Sequence, residues 1–140
     1  MALAAVRAAG TTGGKRMNEE LREEHFQQIT SERARGMYDR LCDACGKRES
    51  GLEDADQYLI RDVCFCEQVK GTLMDDIVER GVGHERINGR QRYYAENKSL
   101  SQLRAYCESQ RRLLNELRLT PAGRRAASVE IEDDFERFPD

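Results

Sequence analysis

The sequence predicts a mainly α chain: a helical core with one long helix, a β-hairpin and a further helix. Three observations carry this. Apolar residues recur at spacings of three and four in residues 37–45, 59–77 and 100–117, the period of a helix face. One Asn88-Gly89 pair stands between two short segments rich in arginine and tyrosine, the strongest short hairpin signal. The 140 residues are 39% hydrophobic and 35% charged, with no tryptophan and two prolines. So polar a chain has little spare apolar surface to cover a broad stripe from within.

The elements follow in order. Residues 1–17, rich in Ala, Gly and Thr, read as a mobile N-terminal arm ending near Lys15-Arg16. The core should span residues 18–121. A short helix over 18–29 carries Leu21, Phe26 and Ile29. Thr30 or Ser31 can cap a second helix that runs to about Cys45 with Met37, Tyr38, Leu41, Cys42 and Cys45 on its apolar face. Asp54-Ala55-Asp56-Gln57 reads as a capping box that opens a long helix to about Glu79. Leu59, Val63, Cys66, Leu73 and Ile77 form its stripe, which Tyr58, Phe65 and Met74 widen. A stripe that broad faces two neighbours, so Tyr58, Phe65, Leu73 and Met74 are the expected contact with another copy.

Gly81-Val82-Gly83 breaks the helix, and a hairpin near residues 84–94 follows, with Asn88-Gly89 as its turn. Ser99-Leu100-Ser101-Gln102 is a second capping box. Its helix runs to about Leu117 with Leu100, Leu103, Tyr106, Cys107, Leu113, Leu114 and Leu117 buried, and Arg104, Arg111 and Arg118 in a row of period seven. Leu119-Thr120-Pro121 ends it. Residues 122–140 form a flexible tail, basic and then acidic, in which Phe135 and Phe138 are apolar anchors for a protein partner.

A net charge of -3 conceals segregation. Residues 49–80 hold three basic and nine acidic side chains, whereas residues 81–128 hold ten basic and four acidic. Phosphate contact depends on the face presented, not on the whole molecule. The expected nucleic-acid contacts are therefore Arg86, Arg90 and Arg92 on the hairpin, with Lys98, Arg104 and Arg111 beside it. Five cysteines, an odd number, point to reduced thiols. Cys42-x-x-Cys45 and Cys64-x-Cys66 raise a zinc reading, but the second pair would splay its thiols across a helix, and buried packing is the better account. No metal or cofactor is expected. No run of 18 apolar residues is present, so no membrane span is expected, and the opening Met1–Arg7 is too short for a signal-peptide core. The chain should act in the cytoplasm. Gly10–Arg16 contains Gly-Gly-Lys without the Ser or Thr of a phosphate-binding loop, and no nucleophile–base pair is recognisable.

From Met37 to Ala127 the chain resembles the small subunit of tailed-phage terminases. The resemblance lies in Met37–Glu67, in the hairpin His84–Tyr94, and above all in Ser99–Ala127 with its closing Leu117-Arg118-Leu119-Thr120-Pro121. Tyr38 stands where that family usually has Trp, and Lys98 where it commonly has Pro. The resemblance implies a ring-like homo-oligomer that binds viral double-stranded DNA and regulates a large subunit carrying the ATPase and nuclease, with no active site of its own, in the host cytoplasm. Competing readings are a dimeric helix-turn-helix regulator built on residues 18–45 and a zinc module built on Cys42, Cys45, Cys64 and Cys66.

Overall fold

In the computed structural model, which describes residues 16–121 and 123–124, one 27-residue helix is the spine to which the other elements attach. The described elements are α1 (Glu19–His25), α2 (Glu32–Gly46), α3 (Asp54–Arg80), β1 (Gly83–Asn88), β2 (Gln91–Glu96) and α4 (Lys98–Glu116). Helix α3 is about 40 Å long at 1.5 Å per residue. Its N-terminal half packs on α2 and α1, and it also packs along α4. The hairpin links the C-terminus of α3 to the N-terminus of α4. Phe135, Phe138 and Lys15 lie outside the described residues.

The core sits where α2, the first half of α3 and the end of α4 meet. It contains Ile29, Ala34, Tyr38, Cys42, Cys45, Leu52, Ile60, Val63, Cys64 and Leu117, with Met37, Leu41, Leu59, Leu113 and Leu114 packed around it. Arg48 closes this end. Its guanidinium donates to the Leu117 carbonyl (3.0 Å), to Asp56 (2.7 Å) and to the Cys45 carbonyl (3.2 Å), so one side chain ties α2, α3 and α4 together. Burial pushes the thiols of Cys42 and Cys64 up to about 12, so both are protonated at neutral pH. Cys64, outside the expected stripe, is fully buried, whereas Cys107, expected inside, is exposed.

Glutamine side chains do much of the joining. Gln57 is fully buried. Its Oε1 accepts from the Asn18 N–H (2.7 Å), and its Nε2 donates to the Asn18 carbonyl and to Tyr38 Oη. Gln68 accepts from the N–H groups of Thr30 (2.7 Å) and Ser31 (2.8 Å) at the start of α2. Gln110 donates to Glu67 (2.8 Å) and the Val63 carbonyl, and accepts from Lys70 Nζ (2.7 Å), between α3 and α4.

Three helix starts differ from or refine the sequence reading. Ser31 caps α2, its hydroxyl accepting from the Ala34 N–H (3.0 Å). Glu53, not Asp54, caps α3, and Asp56 reaches back to the Glu53 N–H (3.0 Å). Gln57 is too deeply engaged with Asn18 and Tyr38 to serve in that box. Asn97, not Ser99, caps α4, its Oδ1 accepting from the Ser99 N–H (3.0 Å). The Ser99 hydroxyl is turned instead onto Asp76 (2.7 Å) of α3. At the other end α4 stops at Glu116, and Arg118 takes the left-handed conformation at φ 59°. The N–H groups of Arg118 and Leu119 return to the carbonyls of Asn115 and Leu114, a Schellman closure with Arg118 where glycine is usual. Arg118 is therefore outside the helix, and the expected row of Arg104, Arg111 and Arg118 breaks at its third member.

Candidate nucleic-acid interface

The hairpin pairs Gly83 with Glu96, His84 with Ala95, Glu85 with Tyr94, Arg86 with Tyr93, Ile87 with Arg92 and Asn88 with Gln91. It is longer than residues 84–94, and its turn lies one position beyond Asn88-Gly89. The two residues between the strands are Gly89, at φ 64°, and Arg90, which keeps a negative φ. Glycine at the first turn position and negative φ at the second is the type II′ pattern, so Asn88 pairs with Gln91 instead of turning. Almost every hairpin side chain is exposed, because neither face packs on the helical body.

Alternation along the strands divides the expected arginines. His84 and Arg86 share one face with Tyr93 and Ala95. Arg92 shares the other with Glu85, Ile87 and Tyr94, and lies 4.0 Å from the Glu85 carboxylate. Arg90 is at the tip. Lys98 opens α4 at the hairpin base. Arg104 and Arg111 are exposed further along α4, where Arg111 pairs with Glu108 (2.6 Å). The six cations thus form a base group, a tip and a helix row instead of one patch.

The base is rigid. Asp76 near the end of α3 receives Arg80 Nε (2.6 Å) and Nη2 (2.7 Å), the Ser99 hydroxyl, and Asn97 Nδ2 (3.2 Å). Asn97 Nδ2 also donates to the Gly81 carbonyl (2.9 Å), and the Asn97 N–H to that of Val82 (2.9 Å). These contacts bind the end of α3, both hairpin ends and the start of α4. The Arg80 guanidinium first, then Ser99, holds the Asp76 carboxyl well below the usual carboxylate range. Neither Asp76 nor Arg80 stands out in the sequence; the i, i+4 spacing of the two, just before a glycine break, was the available signal.

The four expected contact residues of α3 also separate. Tyr58 and Phe65, 44% and 42% exposed, are seven positions apart and lie on one flank. Met74, 44% exposed, comes nine positions after Phe65, about half a turn away. It shares its flank with Val78, which is 86% exposed. Leu73 is 9% exposed and belongs to the interior. The second half of α3 runs past the start of α2, where Ser31 meets Gln68, which is why Met74 and Val78 are bare on a side that Ile60, Val63 and Cys64 bury further up.

Three arginines of α1 and α2 have partners within the chain. Arg22 grips Asp39 through two bonds (2.8 and 2.9 Å), Arg35 donates to the carbonyls of Phe26 and Ile29, and Arg33 pairs with Glu67 (3.0 Å). Among the described residues no three His, Cys, Asp or Glu side chains gather as a metal site would need, and no helix is long and apolar enough to cross a membrane.

A helical scaffold that projects a cationic hairpin and leaves two apolar flanks bare is the build of a small interaction module. The chain belongs to the phage terminase small-subunit family: the model of that family, described as phage terminase, small subunit, matches residues 34–134. The match runs from within α2 through α3, the hairpin and α4. No curated protein and no solved structure matches the chain significantly.

Proposed function

We propose that the protein is the non-catalytic regulatory subunit of a viral DNA-packaging motor. In this reading it assembles as a ring-like homo-oligomer in the host cytoplasm, binds viral double-stranded DNA, and modulates a large subunit that carries the ATPase and nuclease. Family membership supports the class. The observation that carries the DNA contact is the hairpin, whose Arg86, Arg90 and Arg92 are exposed, with Lys98 at its foot and Arg104 and Arg111 on the adjoining helix. Guanidinium groups grip phosphate oxygens in a fork, and one weak patch per chain becomes a strong binder when repeated around a ring.

The two apolar flanks support the ring. Tyr58 with Phe65 and Met74 with Val78 are different surfaces on different sides of α3, and unlike surfaces that dock head to tail generate a ring where the rotation between copies closes. The acidic tail with Phe135 and Phe138 is the proposed contact for the large subunit; acidic-aromatic segments order on binding.

Contacts made to phosphate give salt-dependent binding of low sequence specificity. Arg90→Ala with Arg92→Ala should weaken duplex binding and shallow the slope of log affinity against log salt by about 0.9 per lost contact, with the oligomer intact. If the oligomer dissociates and the slope of residual binding is unchanged, the hairpin is an assembly element instead.

A further inference from the structure

At the foot of the hairpin is a recess of about 360 Å³ lined by Arg80, His84, Arg86, Ala95, Glu96, Asn97 and Lys98. Ala95 is its one apolar lining residue; the other six carry charged or polar heads. Three of the others are basic residues from three different elements: Arg80 at the end of α3, Arg86 on β1, and Lys98 at the start of α4. They converge because His84 and Arg86 alternate onto the same hairpin face and the Asp76–Asn97–Ser99 network locks both helix ends beside it.

The donors left over are aimed at an anion. Arg80 is held by Asp76 through Nε and Nη2, which fixes the plane of the guanidinium and leaves Nη1 without a partner among the described residues. Arg86 spends only Nε, donating to His84 Nε2 (2.9 Å), so both its Nη groups remain. His84, accepting at Nε2, keeps its proton on Nδ1. Lys98 Nζ makes no ion pair among the described residues. A guanidinium oriented from behind by a carboxylate, a second with both amino groups free, and an ammonium make a preorganised set of charged donors for oxygen. Glu96 is the one carboxylate in the lining, and it opposes the field.

We propose that this recess is a seat for one phosphate oxyanion, with Arg80, Arg86 and Lys98 as its ligands and Glu96 as the group that limits its affinity. Phosphate chemistry is shared by a DNA backbone and a free phosphate ion. The DNA source rests on the function proposed above; the seat itself does not.

The test is an amide and side-chain NMR titration of the full-length protein with inorganic phosphate, chloride being adjusted to keep ionic strength constant, together with anisotropy binding of a duplex. Phosphate should shift His84, Arg86, Asn97 and Lys98, and these shifts should vanish in Arg86→Ala with Lys98→Ala. Both side chains are exposed, so the fold should survive; Arg80→Gln, which also loosens Asp76, serves as a third variant. Glu96→Gln should tighten phosphate binding on the order of fivefold, the effect of removing one nearby like charge. If the duplex fills the seat, Glu96→Gln tightens it as well, and duplex displaces phosphate. Phosphate shifts with no change in duplex binding in any variant assign the seat to free phosphate. Phosphate shifts in a protein that binds no duplex overturn the proposed function while the seat stands. Absence of localised phosphate shifts, or shifts that persist in the Arg86 and Lys98 double variant, overturns the seat.

Discussion

Tyr38 is the residue on which the first half of the molecule turns. It is fully buried, and burial lifts its hydroxyl to about 12. Its Oη accepts from Gln57 Nε2 (3.0 Å), so its own proton goes to His25 Nδ1 (2.8 Å). The imidazole proton then sits on Nε2, which is buried with no partner among the described residues. Two predictions belong here. Gln57→Ala removes three hydrogen bonds and strands the Asn18 N–H, and should cost about 2–3 kcal/mol in chemical denaturation. Gln102→Ala, on the exposed face of α4, should stay within about 0.5 kcal/mol. The second prediction concerns acid. Burial, aided by Arg61, lowers the His25 pKa from its ordinary 6.5. The unfolded chain therefore binds a proton that the folded chain refuses. The His25 contribution is flat above pH 6.5, and stability falls as pH drops below that value, at no more than about 1.4 kcal/mol per pH unit. His25→Phe should remove that slope between pH 6.5 and 5.5; an unchanged slope would mean that another group sets it.

At the scale of elements, the sequence exposed what periodicity and turn chemistry encode and concealed what polar side chains do over distance. Every described helix and the hairpin were legible, because apolar spacing and the Asn88-Gly89 signal are local. The caps of α3 and α4 slipped by one and two positions because Gln57 and Ser99 look like capping-box residues but are engaged with Tyr38 and Asp76. No local pattern says that a glutamine will hold a neighbouring helix, as Gln57, Gln68 and Gln110 do. The cationic segment was legible as a segment, but its division was not: Arg86 and Arg92 face opposite ways, and Arg80, from the acidic block, joins Arg86. The long helix carries a prediction of its own. If Tyr58 with Phe65 docks on Met74 with Val78 of the next copy, Phe65→Glu and Met74→Glu each bury a charge in the contact and should each give monomers. Mixed together, they retain one good flank each and should form a heterodimer and stop. Sedimentation that shows two unchanged oligomers, or a mixture that stays monomeric, would remove α3 as a head-to-tail contact.

For the whole molecule, a small polar chain has been organised around a single spine so that its core end is tightly closed by Arg48 and Tyr38 while its other end presents a hairpin on a locked base. The closed end supplies stability; the open end and the bare flanks supply surfaces. Each surface is modest alone, and repetition in a closed assembly is what would make it effective on a polyanion. Native mass spectrometry of the full-length protein, with and without a duplex from the viral genome end, tests this most directly. The account predicts one closed species of more than two copies that gains the mass of the duplex and keeps its copy number. A monomer or dimer that takes up no DNA would contradict it.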